Sequence, residues 1–330
     1  MTTLQKRILN EFTPKVERLM DIYARDWRLL SSPKGHYLPQ DHVEDARGYM
    51  HRLAANHTFE RIDRKAKKIK KTKGSLHSLA ARLYDHDLVG EITYLQGMES
   101  IFRKDSQFPI DVTEAARFMR KLTTVRLFGL TMGYVASDHD LNYLSFCPSQ
   151  QLEPLLTSAS VKSRKIQTTI SHTISNVEYV ALHQIVKNAP VHWELYARNE
   201  GTSTNYIIED LGGGIRHKDK TPLTVYDLPE IFNEFSTKDG GHGLQIARHL
   251  IHSLGGHIEV ITTTENGTLR YSTRYEKAES SASNGVHGTL FSVYVPHDYF
   301  TVRGVERSAA HQISLNPDTS APRPEKGLVF

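Results

Sequence analysis

The sequence predicts an α+β protein in which a helical hairpin is followed by an α/β sandwich. Three observations carry this. Apolar residues recur at helical spacing up to about residue 150. Beyond it, β-rich runs alternate with helical ones and end in glycine turns. Finally, Leu244, Ala247, Leu250 or Ile251, and Leu254 form a one-sided stripe that stops at Gly255 and Gly256 and leads into a strand at 258–262.

The elements follow in chain order. Residues 1–74 read as helical and polar, with Leu4, Ile8, Phe12, Val16 and Met20 at helical spacing and a role left unassigned. A long helix is expected from Gly74 to Lys104, broken by "KDSQFPIDVTEA", in which Asp111 is a candidate N-cap with Glu114 three residues on. A second long helix runs to Val135, closing a dimerisation hairpin over 75–149. Such a hairpin buries little alone, so a homodimer with a four-helix bundle is expected. The sandwich spans 150–300. Within it "WELYARNEG" and "TNYIIEDLGGGI" form a strand hairpin, 216–239 is irregular and polar, and 241–254 is a helix. "HIEVITTTENGTLRYSTRY" and "GTLFSVYVP" supply further strands, with 276–287 read as a loop between them, the whole of 265–287 looking like an inserted hairpin. Residues 301–330 are expected to be a disordered tail.

Composition narrows the class. The 330 residues carry a net charge of +4, and the basic run "RIDRKAKKIKKTK" at 61–73 reads as a solvated helical face or linker. Cys147 is the only cysteine, which excludes an internal disulfide and a cysteine-based zinc site and fits a reducing compartment. No apolar run approaches the roughly 18 to 20 residues of a membrane span, and the first residues lack the apolar stretch of a signal peptide, so a cytoplasmic protein is expected.

The chemistry sits in five short stretches: "HQIVKNA" (183–189), "DLGGGI" (210–215), "IFNEFSTK" (231–238), "GGHGLQIAR" (240–248) and "GTLF" (288–291). Glycines before a helix N-terminus allow close backbone approach, and the terminus offers N–H groups and a positive dipole end, a combination suited to phosphate. In this order the stretches resemble the nucleotide-binding boxes of the GHKL ATPase superfamily, specifically of sensor histidine kinases. The resemblance implies ATP and Mg²⁺ as cofactors. Asp210 would accept a hydrogen bond from the exocyclic amine of adenine, Gly212 and Gly214 would let the backbone pass close to the base, and Asn188 would coordinate Mg²⁺. Gly241, His242, Gly243 and Leu244 would line the triphosphate, Lys238 could reach a phosphate, Phe232 and Phe235 would pack the mobile lid, and Thr289 would close the pocket.

"HDLVGEITYLQG" (86–97) resembles the phosphoacceptor box of dimeric histidine kinases. It implies His86 as the nucleophile and Asp87 as the group that takes the proton from the other ring nitrogen. At about 100° per residue, Leu88, Ile92 and Leu95 share one side of the helix and His86 falls on the other. Three positions depart from the family pattern: Glu91 replaces a proline that kinks the helix, Gly90 replaces a Thr or Asn used in dephosphorylation, and Gln184 replaces an Asn. The implied function is an ATP-dependent histidine autokinase that passes phosphate from His86 to the receiver domain of a separate response regulator. The alternative is a dimeric histidine phosphotransferase relay with the ATP domain as scaffold. Nucleic acid is not an expected partner, because His183 and Gln184 stand where clamp-type relatives carry a catalytic Glu.

Overall fold

In the computed structural model, the described residues are 47, 48, 50, 54, 59, 60, 63, 64 and 67, then 75–105, 108–110, 112–148, 152, 156, 163–168, 173–187, 193–210, 212–217, 221–233, 242–265, 267–282 and 288–298. Asp111, Asn188, Phe235, Lys238, Gly241 and the tail at 301–330 lie outside them, as do most of residues 1–74. No helix among the described residues is long and apolar enough to cross a membrane.

The helical part begins with α1 (Ser75–Leu83), which passes through a single π-helical turn, Tyr84–Leu88, into α2 (Val89–Lys104). The turn is closed by Val89 N–H donating to Tyr84 O, five residues back. Upstream residues steady it: Tyr84 O–H donates to Asp63, and Phe59, Met50 and Ala54 are buried in the same core. Leu88, Ile92 and Leu95 are buried as the spacing predicts, and Met98 and Phe102 extend their stripe. α3 (Val112–Ala136) returns alongside α2. Lys121 Nζ lies 2.7 Å from the Glu91 carboxylate, so the residue standing in the proline position ties the two helices together. The break in helical regularity comes from the π turn upstream of it.

α3 ends without glycine. His139 N–H donates to Tyr134 O at 2.8 Å and Asp138 N–H to Val135 O at 3.4 Å. Asp138 and His139 both take left-handed φ, 59° and 66°.

The second part is a mixed, mainly antiparallel sheet with helices on one face. Its strands are β1 (Phe146–Pro148), β2 (Ser163–Thr168), β3 (Thr173–Ser175), β4 (Trp193–Glu200), β5 (Ser203–Asp210), β6 (His257–Thr264), β7 (Gly267–Ser272), β8 (Lys277–Ser281) and β9 (Thr289–Pro296). Helices α4 (Asn176–Lys187) and α5 (Gly243–Ser253) complete it. Seven strands form one sheet in the order β2-β4-β5-β9-β6-β7-β8, and β1 pairs with β3 separately. Only β2 with β4 is parallel in the large sheet.

Period-two burial makes the sheet's inner face. Leu195, Ile208, Phe291 and Val260 lie in register across four adjacent strands, and Ala197, Tyr206, Val293 and Ile258 form the next row. All eight are buried beneath the helices. α4 starts with a capping box that the sequence reading did not identify: Ser175 Oγ accepts from Glu178 N–H, and Glu178 Oε2 accepts from Ser175 N–H at 2.8 Å. Tyr206 O–H donates to the other Glu178 oxygen at 2.9 Å, which fixes α4 to the sheet. Asn176 Nδ2 donates to Thr131 Oγ1 at 2.9 Å, joining α4 to α3.

One expectation is corrected. Residues 277–281 are a strand pairing with β7, where a loop is predicted. The segment is polar and exposed at the sheet edge, so its pairing comes from β7 and from the turn before it; there Glu276, at φ 51°, accepts from Tyr271 O–H at 2.6 Å and from Arg248 at 2.5 Å. Phe232 is fully buried against Tyr271, with ring centroids 5.5 Å apart.

Candidate functional site

The last inner-face row differs chemically from the two behind it. Trp193, Asp210, Thr289 and Thr262 stand in register on β4, β5, β9 and β6, so the strand ends present one carboxylate and two hydroxyls to the helix-covered side. Thr262 Oγ1 lies 3.2 Å from Thr289 Oγ1 and accepts from Ile215 N–H at 2.8 Å, pinning the loop after β5. Asp210 Oδ1 accepts from Gly212 N–H at 2.9 Å. Burial pushes the Asp210 carboxyl above the usual carboxylate range, while donors from Gly212 and Thr289 pull it back.

Two glycines let this loop lie against the strands. Gly214 has φ 78°, and a Cβ there would meet Thr263 O at 2.0 Å. Gly288 has φ 97°, and a Cβ would meet Asp210 O at 1.9 Å. The second was not singled out from the sequence, although it begins the quoted "GTLF" stretch.

His242 N-caps α5 without a side-chain cap bond, and the first turn holds no acidic residue. A helix terminus of this kind carries N–H groups without intrahelical partners and a positive dipole end, which suit an anion. Gly243 is buried, and Leu244 is partly buried against the core.

The hairpin meets this region at three places. Arg82 Nη1 donates to Gln245 Oε1 at 2.5 Å and lies 3.0 Å from His242 Nδ1. Asp87, its side chain only 2% exposed, accepts from Gln184 Nε2 at 2.8 Å and pairs with Lys187 Nζ at 2.5 Å. At the end of α3, Tyr134 O–H donates to Ser253 Oγ at 3.2 Å, and just beyond it His139 Nε2 lies 3.1 Å from His249 Nε2 on α5. His86 is placed by its backbone in the π turn, next to Asp87; its side chain is outside the description, as is the expectation about the face it occupies.

The fold thus brings together Asp210, Gly212, Gly214 and Thr289 at the ends of the central strands, and it sets Asp87 against the last turn of α4, one residue before Asn188. Arg82 and Lys187 are additions. Neither has a local signal, because their partners lie 163 and 100 residues away in sequence. A cleft lined by His252, His257, Arg274 and Tyr294 lies at the opposite ends of these strands and contains none of the predicted site residues.

The residues present fit an adenine nucleotide. Asp210 is a buried carboxyl that could accept from an exocyclic amine, and the α5 terminus could donate to phosphate. Among the described residues no three His, Cys, Asp or Glu side chains gather as a metal site.

No family model matches the chain, and no curated protein matches it. Among solved structures the chain is similar to the histidine kinase domain of the blue-light activated histidine kinase of Erythrobacter litoralis EL346, at 13% identity over 67% of this chain and 96% of that one, with a TM-score of 0.33. It is also similar to the Acinetobacter baumannii histidine kinase AdeS, at 16% identity over 64% of this chain and 98% of that one, with a TM-score of 0.31.

Proposed function

We propose that the chain is an ATP-dependent histidine autokinase, active as a homodimer through a four-helix bundle of paired hairpins. The observation that carries the reading is the polar row of Asp210, Thr289 and Thr262 behind a glycine loop, set beside a helix whose N-terminus has no acidic residue or side-chain cap. Asp210 holds the adenine amine, and Gly241, His242, Gly243 and Leu244 with the α5 terminus hold the phosphates. Lys238 would supply a cation, and Asn188 would hold Mg²⁺, which when bound would add positive charge beside the phosphates.

An imidazole nitrogen of His86 attacks the γ-phosphorus, the bond to the β-phosphate oxygen breaks, and ADP leaves. The proton on the other ring nitrogen passes to Asp87, a role for which Asp87 leaves its bonds to Gln184 and Lys187. The phosphoryl group then moves to an aspartate of a separate receiver domain, and the protein acts in the cytoplasm.

The test is incubation of purified protein with Mg²⁺ and γ-labelled ATP, beside His86→Gln and Asp210→Asn. Acid-labile, base-stable label on wild type, absent from both variants, is expected. Nucleotide binding without label on wild type would overturn the kinase reading and leave a nucleotide-binding relay.

A further inference from the structure

Arg82 lies four residues before His86, one helical turn in sequence, on the same continuous helix. Its guanidinium reaches across to the first turn of α5, where it donates to Gln245 Oε1 at 2.5 Å and lies 3.0 Å from His242 Nδ1. Asp87, one residue after His86, is bound to Gln184 and Lys187 in the last turn of α4. The candidate phosphoacceptor is thus bracketed by two side chains, each held by a different nucleotide-side helix.

We propose that Arg82 is a positioning residue, which seats the His86 helix on the first turn of α5 through His242 and Gln245 and so sets the approach of the imidazole to the γ-phosphate. The proposal rests on the autokinase reading. Arginine suits the role because its Nη1 carries two N–H donors in the plane of a permanently charged guanidinium, one for each acceptor. With His86 only four residues away, a small shift of the seat moves the acceptor by an amount that matters for in-line transfer.

Electrostatics adds a coupling. A guanidinium gains nothing from the positive end of a helix dipole, and the first turn of α5 supplies no carboxylate to offset it. Phosphate at that terminus would add negative charge beside the guanidinium. Nucleotide occupancy and the seating of the hairpin therefore reinforce each other.

The experiment compares wild type, Arg82→Gln, Arg82→Lys, Gln245→Ala and the Arg82→Gln, Gln245→Ala double variant. Three readouts are taken: the initial rate of label incorporation at saturating ATP, the Kd of a non-hydrolysable fluorescent ATP analogue, and the thermal midpoint. Arg82→Gln is expected to slow labelling about tenfold or more, with the analogue's Kd raised only a few-fold. Arg82→Lys recovers part of the rate, and the double variant is no slower than Arg82→Gln alone. Unchanged labelling in Arg82→Gln, a Kd that weakens by the full loss in rate, or strictly multiplicative losses in the double variant overturns the proposal. Wild type that binds nucleotide and takes no label overturns the autokinase reading instead, and this proposal falls with it.

Discussion

His183 stands one residue before Gln184 on α4, in the first of the nucleotide-box stretches, yet it belongs to the core. Its ring meets Phe128 edge-on at 4.9 Å, and its Nδ1 makes no hydrogen bond among the described residues. Burial lowers its pKa to about 4, with Asp87 pulling the other way. The sign follows directly: the unfolded chain takes up a proton near pH 6.5 that the folded chain refuses, so stability is full above that pH and is lost as pH falls toward 4. His183→Leu is expected to remove this dependence. Between pH 7.5 and pH 5, wild type should lose about 2 kcal/mol more than the variant in urea unfolding; equal losses would refute the assignment. Asp210 shows the same principle in a polar setting. Its burial was not visible in the sequence, but its position at a strand end was, because "DLGGGI" marks where an apolar run stops.

At the scale of elements, the long helices and the inner-face strands were legible because their periodicity is a direct imprint of burial. What escaped were elements whose cause lies elsewhere in the chain. β8 is polar on both faces and takes its conformation from β7 and the Glu276 turn. The π turn at Tyr84–Leu88 has no compositional mark; its one extra residue shows only as a change of phase between the apolar residues before it and those after it. Loop closure beside Asp210 depends on Gly288, where a Cβ would fall 1.9 Å from Asp210 O at a left-handed φ. Gly288→Ala is therefore expected to destabilise by at least about 2 kcal/mol and to weaken nucleotide binding with it. Chemical denaturation and a binding titration check both, and a variant as stable as wild type would show that the loop can move aside.

Across the whole molecule, the hairpin and the sandwich are joined by side chains far apart in sequence, which is why the candidate site was only half legible. Asp210 and the glycines announce themselves locally; Arg82 and Lys187 acquire meaning only when the fold places them. The Asp87–Lys187 pair gives the joint a measurable strength. Removing Lys187 leaves a buried carboxylate with Gln184 as its remaining hydrogen-bond donor among the described residues, a costlier state than losing both charges. In a thermal-melt cycle of Lys187→Met, Asp87→Asn and the double variant, the double is expected to be more stable than Lys187→Met, with a coupling of roughly 1 kcal/mol or more. Additive effects would mean that the two parts are held together elsewhere, as at His139 and His249.

The π turn also acts as a phase shifter. A single residue inserted into an α-helix rotates everything on one side of it by about 100° relative to everything on the other. Upstream of the turn Leu79 and Leu83 are buried, and downstream Ile92 and Leu95 are. Straightening the turn would turn one set out of the core, or would swing Arg82 off α5 while Asp87 stayed on α4. The turn thus sets the angular phase of the helix that carries His86, and Arg82 and Asp87 fix that helix to two different partners on either side of that residue.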